Sequence, residues 1–214
     1  MLKLYYAPGA CSMASHIGLE EAGASYESQA IKFAEGEQKS PTYLKINPRG
    51  KVPALQVDSN TVVTENTAIL DYIAKTFPAK NLMPKDPLGE ARCLSFMAWC
   101  SNTVHPSFTH IFRPERFSDD PAATAGIKDA GRKAFWAALQ EIDQIIAANG
   151  NQWVQGAQFT TCDPYALVFY GWGTRIELPM KELKAYTAWK DRMIARPAVR
   201  KILEREKSVL LPAA

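Results

Sequence analysis

A cysteine that follows a strand and a tight turn and opens a helix is placed for thiol chemistry, and Cys11 has that context. Leu2 to Ala7 alternates as a strand, Pro8-Gly9-Ala10 turns the chain, and Cys11 to Gly23 reads as a helix. Unpaired N–H groups at a helix start stabilise an anion. A thiol there is expected to ionise below the ordinary ~8.5, at about 7.5 or less. Ser12 adds a hydroxyl that either caps the helix or holds a bound thiolate. An isolated cysteine is more often a small buried apolar residue; the strand-turn-helix setting turns that expectation toward chemistry.

Two further pairs suit peptide binding. Val52-Pro53 follows Asn47-Pro48-Arg49-Gly50 and lies in a β-prone run. Proline there suits an edge or a bend. It is a candidate for a cis peptide that turns the Val52 N–H and C=O outward, where an extended peptide can add as a strand. An ordinary trans proline at the start of an edge strand fits equally well. Glu65-Asn66 stands at the junction of a hairpin and a helix that starts near Thr67. Asn66 fits a helix N-cap. The same place would let Glu65 bind an ammonium group while the helix-start N–H groups and Asn66 bind a carboxylate. That combination matches the zwitterionic head of an amino acid.

The rear of the chain offers less chemistry. His105 sits in Thr103-Val104-His105-Pro106-Ser107-Phe108, as expected of a helix-end histidine before a proline. His110 is five residues on rather than four, and no HExxH pattern exists, so no metal site is expected. Arg113 and Arg116 read as solvated or ion-paired. Thr160-Thr161-Cys162-Asp163 follows the logic of a capping box, with Phe159 as a hydrophobic staple. Pro164 just inside would remove an early helical hydrogen bond.

The elements that must position these residues fall into two halves. Strand, helix, strand (Tyr26–Ile31), a polar loop from Glu35 to Thr42, a hairpin (Val52–Val57 and Thr61–Thr64 about Asp58-Ser59-Asn60) and a helix (Asn66–Phe77) follow in that order. A right-handed βαβ unit completed by a hairpin and a helix is the thioredoxin-like arrangement. Pro78, Pro84 and Pro87 mark a linker, and helical patterning follows Leu88. The reading is an α/β thioredoxin-like N-terminal domain over 1–78, a linker over 79–87 and an all-α C-terminal helical domain over 88–214. All five tryptophans lie in the rear and are expected to form its aromatic core.

Composition narrows the class. The 214 residues are 47% hydrophobic and 22% charged, as in an ordinary globular protein. A net charge of +3, spread along the chain, argues for neither nucleic acid nor an acidic membrane as partner. The four cysteines form no CxxC pair, which speaks for a reducing compartment and against zinc or a disulfide scaffold. Pro8 and Gly9 interrupt any signal-peptide core, and the longest apolar run, Tyr165 to Trp172, is too short to cross a bilayer. A cytoplasmic location is expected.

Taken together, three front motifs carry a resemblance. They are Tyr5-Tyr6-Ala7-Pro8-Gly9-Ala10-Cys11-Ser12, Asn47-Pro48-Arg49-Gly50-Lys51-Val52-Pro53-Ala54-Leu55 and Thr64-Glu65-Asn66-Thr67-Ala68-Ile69. With Val104-His105-Pro106 and Phe159-Thr160-Thr161-Cys162-Asp163, in this order, the whole chain resembles the cytosolic glutathione transferases, closest to the bacterial beta class. The resemblance implies a homodimer that holds glutathione on the thioredoxin-like domain. Cys11 would lie beside the glutathione sulfur, with Ser12 and His105 as its catalytic companions. Val52 would precede the family's cis-proline, Pro53, and pair with the cysteinyl unit. Glu65 and Asn66 would hold the γ-glutamyl head, Asn66 standing where the family often has serine. Lys32 or Lys39 would meet the glycyl carboxylate. Tyr6, Lys51 and Asn102 complete the implied glutathione-binding set.

The implied reaction adds the glutathione thiolate to a small hydrophobic electrophile. Two alternatives stand beside it. One is glutathione-dependent thiol–disulfide exchange with Cys11 as nucleophile. The other is a non-catalytic glutathione-binding protein that kept the fold.

Overall fold

The computed structural model describes residues 1–150 and 152–212. Its front half is a sheet of β1 (Leu2–Tyr6), β2 (Tyr26–Ala30), β3 (Ala54–Gln56) and β4 (Val62–Thr64), with α1 (Met13–Glu21), the short α2 (Pro41–Leu44) and α3 (Asn66–Thr76). The strand order is β2-β1-β3-β4. β1 runs parallel to β2, while β3 runs antiparallel to both β1 and β4. This is the thioredoxin-like arrangement that the element order predicts.

Alternation along β1 divides its side chains between two cores. Leu4 and Tyr6 face α1 and α3, where Ile17, Ile69, Leu70 and Ile73 are fully buried. Tyr5 and Ala7 face the other way and pack with Ile31, Tyr43 and Val52. The expected polar loop after β2 is more ordered than its composition suggests. It holds two 3-10 turns, Phe33–Glu35 and Glu37–Lys39, and then α2. Ser40 caps α2 by accepting from Tyr43 N–H at 3.2 Å, and Pro41 occupies the first helical position.

The rear half contains α4 (Pro87–Trp99), a π-helical stretch (Cys100–Val104), α5 (His105–Phe112), α6 (Thr124–Ala148), α7 (Cys162–Arg175), α8 (Lys184–Ala195) and α9 (Pro197–Arg205). Every residue of α7 from Cys162 to Gly173 is buried. A helix apolar on all sides belongs at the centre of a core, and α7 packs against both α1 and the other rear helices. One hydrophobic cluster therefore runs from Leu4 and Tyr6 to Trp189 and Leu203. The tryptophans form the expected aromatic core only in part: Trp172 and Trp189 are buried, while Trp99, Trp136 and Trp153 pack at its edge. The proline-rich segment after α3 is also packed. Leu82 and Met83 are buried, and the Leu82 carbonyl accepts from Thr161 N–H at 2.8 Å. No helix among the described residues is long and apolar enough to cross a membrane.

Asp163 ties the start of α7 to its surroundings. It accepts from Thr160 N–H at 2.8 Å, from Val154 N–H at 3.0 Å and from the Trp189 indole N–H at 2.9 Å. Thr160 Oγ1 accepts in return from Cys162 N–H at 3.3 Å, so only the Asp163 half of the expected capping box forms, the side-chain bond of Thr160 falling one residue short of Asp163 N–H. Burial still pushes the Asp163 carboxyl up to about 6, against the pull of these donors. Phe159 packs edge-on against Trp153 at 5.5 Å. Pro164 proves no burden, because first-turn N–H groups have no intrahelical acceptor to lose. Asp163→Ala leaves three buried N–H donors without an acceptor, at ~1–3 kcal/mol each. Stability should fall by about 3 kcal/mol or more and Tm by roughly 6–12 °C. A calorimetric Tm within about 2 °C of the parent protein would refute this anchoring role.

Candidate active site

The turn that carries Cys11 is clamped from several directions. Ala7 N–H donates to Ser12 Oγ at 3.1 Å, and the Ser12 hydroxyl donates back to the Ala7 carbonyl at 3.2 Å. Trp172 Nε1 on α7 donates to the Gly9 carbonyl at 3.0 Å. Gly9 N–H donates to Glu206 Oε2 at 3.1 Å, and Glu206 Oε1 meets His16 Nδ1 at 2.8 Å. His16 and Glu206 have no exposed side-chain surface. Gly9 adopts φ +70°, a conformation that glycine takes without the Cβ penalty. Asn66 completes the clamp: its amide donates to the Cys11 carbonyl at 2.9 Å, and its Oδ1 accepts from Ser15 Oγ at 2.6 Å.

These bonds revise several expectations. Ser12 is fully buried, and its hydroxyl pairs with Ala7 instead of capping α1. Asn66 is the first residue of α3 rather than its cap, and its side chain points into the protein. Only its backbone N–H belongs to the helix start. Tyr6 lies on the helix-covered face of β1 against His16, with ring centroids 4.6 Å apart. It packs as a core residue.

Cys11 precedes α1 by two residues and is 9% exposed. Its Sγ donates to the Val52 carbonyl at 3.4 Å. The thiol is not acidic as expected; burial pushes it up to about 12, and the Glu65 charge adds to the rise. The backbone N–H groups of Cys11 and Ser12 and the Asn66 amide pull in the opposite direction, as a helix start should. Desolvation outweighs them.

The Cys11–Val52 contact brings two of the sequence motifs together. The Val52–Pro53 peptide is cis. Tyr43 Oη and Asn47 Nδ2 both donate to the adjoining Lys51 carbonyl at 2.7 Å, which holds this loop against the sheet. Glu65 stands at the N-cap of α3 with φ +70° and ψ 128°. A non-glycine residue there costs about 1–3 kcal/mol, and such strain concentrates at functional sites. The Glu65 side chain is 67% exposed, with Arg49 Nη1 at 4.0 Å.

His105 faces the site from the rear half. Pro106 has no N–H to donate back, and the chain ahead of it widens into the π-helical stretch. The His105 ring meets Trp172 edge-on at 4.9 Å. Its pKa is lowered to about 4 by burial and by the positive charges of Lys51 and Arg116. His105 is therefore neutral at pH 7 and cannot assist as a cation. Lys32 is ion-paired to Glu35 at 3.2 Å, whereas Lys39 and Lys51 form no salt bridge among the described residues. Asn102 is exposed on the π-helical stretch, where it accepts from Ser101 Oγ at 3.4 Å.

Sequence reasoning missed Trp172, His16, Glu206 and Tyr165. The first three hold the Gly9 turn or its bracing helix. Tyr165 is buried on α7, and that burial, with the nearby Cys11, holds its phenol well above the ordinary range. Only the apolar pattern around Trp172 and Tyr165 signals burial; nothing local marks Glu206. Among the described residues no group of three His, Cys, Asp or Glu side chains is placed to hold a metal ion.

Comparison with known proteins gives the family. Residues 1–75 match the family model for the glutathione S-transferase N-terminal domain. The chain is 31% identical over 207 residues to glutathione S-transferase GstA of Escherichia coli O157:H7, covering 96% of this chain and 98% of that protein. It is likewise 31% identical over 206 residues to glutathione S-transferase GST-4.5 of Xanthomonas campestris pv. campestris, covering 96% and 98%. Among solved structures, a glutathione transferase homologue from Sulfitobacter with bound glutathione superposes with a TM-score of 0.90 at 31% identity, covering 96% of this chain and 98% of that one. A bacterial beta class glutathione S-transferase from Sphingomonas chungbukensis gives 0.83 at 32%, covering 98% and 100%. The chain belongs to the glutathione S-transferase family, and it is a transferase that uses glutathione.

The state of Cys11 can be checked directly. A thiol near 12 is almost wholly protonated at neutral pH. Its alkylation by iodoacetamide at about pH 7.5 should run at least ~100-fold slower than that of a free cysteine. Mass spectrometry of the Cys11 peptide reads this; labelling at the free-cysteine rate would show an accessible, ionised thiol.

Proposed function

We propose that the protein is a beta-class glutathione transferase that conjugates the glutathione thiolate to small hydrophobic electrophiles. The observation that carries this reading is the 3.4 Å contact between Cys11 Sγ and the Val52 carbonyl. It puts the thiol turn beside the backbone edge on which an extended peptide would pair. Residues 1–78 form the glutathione-binding domain in this reading, and 88–214 the helical domain.

Glutathione lies along Val52, its cysteinyl backbone on the Val52 N–H and C=O. Glu65 takes the ammonium of the γ-glutamyl head. The N–H groups at the start of α3 take its carboxylate, without help from the Asn66 side chain. Lys39 and Lys51 form no salt bridge among the described residues, and their charges are more available than that of the paired Lys32 to meet the glycyl carboxylate.

Cys11, neutral, acts as a hydrogen-bond donor to the glutathione sulfur. Breaking its bond to Val52 frees the S–H for that role. Neutral His105 serves as a polar partner across the sulfur, and the nearby charges of Lys51 and Arg116 favour the thiolate over the thiol. Rigid placement of the thiolate beside the aromatic wall of α5 and α7 supplies proximity. A buried thiol near 12 argues against Cys11 as the nucleophile of disulfide exchange.

All four cysteines are unbridged thiols, in keeping with a reducing, cytoplasmic setting. Pairing into a homodimer would cover Leu88, which is 61% exposed on α4, and exposed Phe33 and Leu44 of the front half. Light scattering at micromolar concentration should give about twice 23.7 kDa. A monomer mass would count against the dimer.

Glu65→Gln keeps the shape of the γ-glutamyl site and removes its charge. A charge-assisted hydrogen bond is worth about 1.5–3 kcal/mol. Glutathione should then bind roughly tenfold or more weakly by calorimetry. An unchanged Kd would return Glu65 to a purely structural role. Binding of glutathione without turnover of any electrophile would favour the non-catalytic alternative.

A further inference from the structure

The rear wall of the site combines stacked rings with arginine side chains. Trp172, which donates to the Gly9 carbonyl, stacks on Phe108 at 4.3 Å. Phe108 stacks in turn on Phe112 at 5.8 Å. Phe112 is the outermost ring and is 50% exposed. The Arg175 guanidinium lies 5.4 Å from the centre of this ring, and that of Arg113 lies 5.3 Å from it. Arg175 also reaches back to the thiol turn: its Nη1 stands 3.9 Å from the point that a Cβ on Gly9 would occupy. Arg116 is close enough to act on His105.

These guanidinium groups have little to neutralise them. Neither Arg175 nor Arg116 forms a salt bridge among the described residues, and Arg113 meets only Glu115, at 3.7 Å. A cleft lined by one sign of charge concentrates ligands of the other sign. Guanidinium is planar and presents a fork of donors matched to a carboxylate. Arg175 lies over the exposed Phe112 ring and beside Gly9, in the turn that carries Cys11.

We propose that the second substrate is a planar electrophile bearing a carboxylate, its ring continuing the Phe108–Phe112 stack and its carboxylate held by Arg175. This rests on the transferase reading above and names the substrate class for that same site. Arg113 and Arg116 supply the positive field at the mouth. In the test reaction the glutathione sulfur forms a bond to the ring carbon that carries chlorine. The carbon–chlorine bond breaks, chloride leaves with the bonding pair, and the thiol proton passes to solvent.

The experiment uses matched probes. They are 4-chloro-3-nitrobenzoate and its carboxamide, together with the glutathione conjugates made from each. By calorimetry the carboxylate conjugate should bind about tenfold more tightly than the carboxamide conjugate. That preference should shrink as ionic strength rises. Arg175→Gln should bring the ratio of the two Kd values to within about twofold of one, and Arg175→Lys should restore part of it. The ratio of kcat/KM for the two electrophiles, each divided by its uncatalysed rate, should move in parallel. Equal affinities in the parent protein would overturn the inference, as would a preference that survives Arg175→Gln. Binding of glutathione with neither conjugate bound would overturn it as well, while leaving the glutathione site intact. Failure to bind glutathione itself would overturn the transferase reading instead.

Discussion

The Gly9 peptide is held at both of its polar groups by side chains from the far end of the chain. Its carbonyl takes the Trp172 indole N–H, and its N–H gives to Glu206. Glu206 is buried with His16, so the same carboxylate joins α1 to the segment after α9. A buried carboxylate is tolerable only when its oxygens are met by donors. Both are met here, one by a backbone amide and one by an imidazole. The turn that presents Cys11 is therefore not a property of the front half alone. It takes its shape from the packing of α7 and from where the chain leaves α9.

That dependence explains the electrostatics of the site. Cys11 sits between the sheet and α7, and the same packing that fixes its position removes it from water. Helix-start amides lower the thiol's pKa, but burial raises it further. His105 is subject to the same environment with the opposite charge, and its pKa falls to about 4. Thiol and imidazole are thus both neutral at pH 7. Positive charge is left to lysine and arginine side chains at the margin, where water still solvates them. A bound thiolate would then meet neutral donors close by and cations farther out.

Asn66 shows how a polar side chain at a helix start can serve as a brace. Its amide spans from Ser15 on α1 to the Cys11 carbonyl, linking the start of α3 to the thiol turn. Glu65, next to it, is forced to φ +70° and left with its carboxylate in solvent. The strain at one residue and the burial of the next arise from the same sharp entry into α3. Two adjacent polar residues of similar size end in opposite surroundings.

Much of this was legible locally. The alternation of Leu2 to Ala7, the Pro8-Gly9 turn, the Asp58-Ser59-Asn60 hairpin and the Asp163 half of the Thr160–Asp163 box each depend on neighbours a few residues away, and each forms about where the sequence places it. Their order sufficed for the thioredoxin-like sheet, and the motifs carried on it sufficed for the family. The helical turns after β2 escaped notice because Ser40-Pro41 lies inside a polar stretch that reads as loop. What a residue does in the site was a different matter. The sequence places Ser12 next to Cys11, but only the fold turns its hydroxyl toward Ala7. It offers a thiol at a helix start, but only the packing of α7 decides that desolvation exceeds the helix field. The placement of Arg175 beside Gly9 and Phe112 joins three segments far apart in the chain. Local spacing determines elements; burial, charge balance and the direction of a side chain are set by what packs against it, and that is decided in three dimensions.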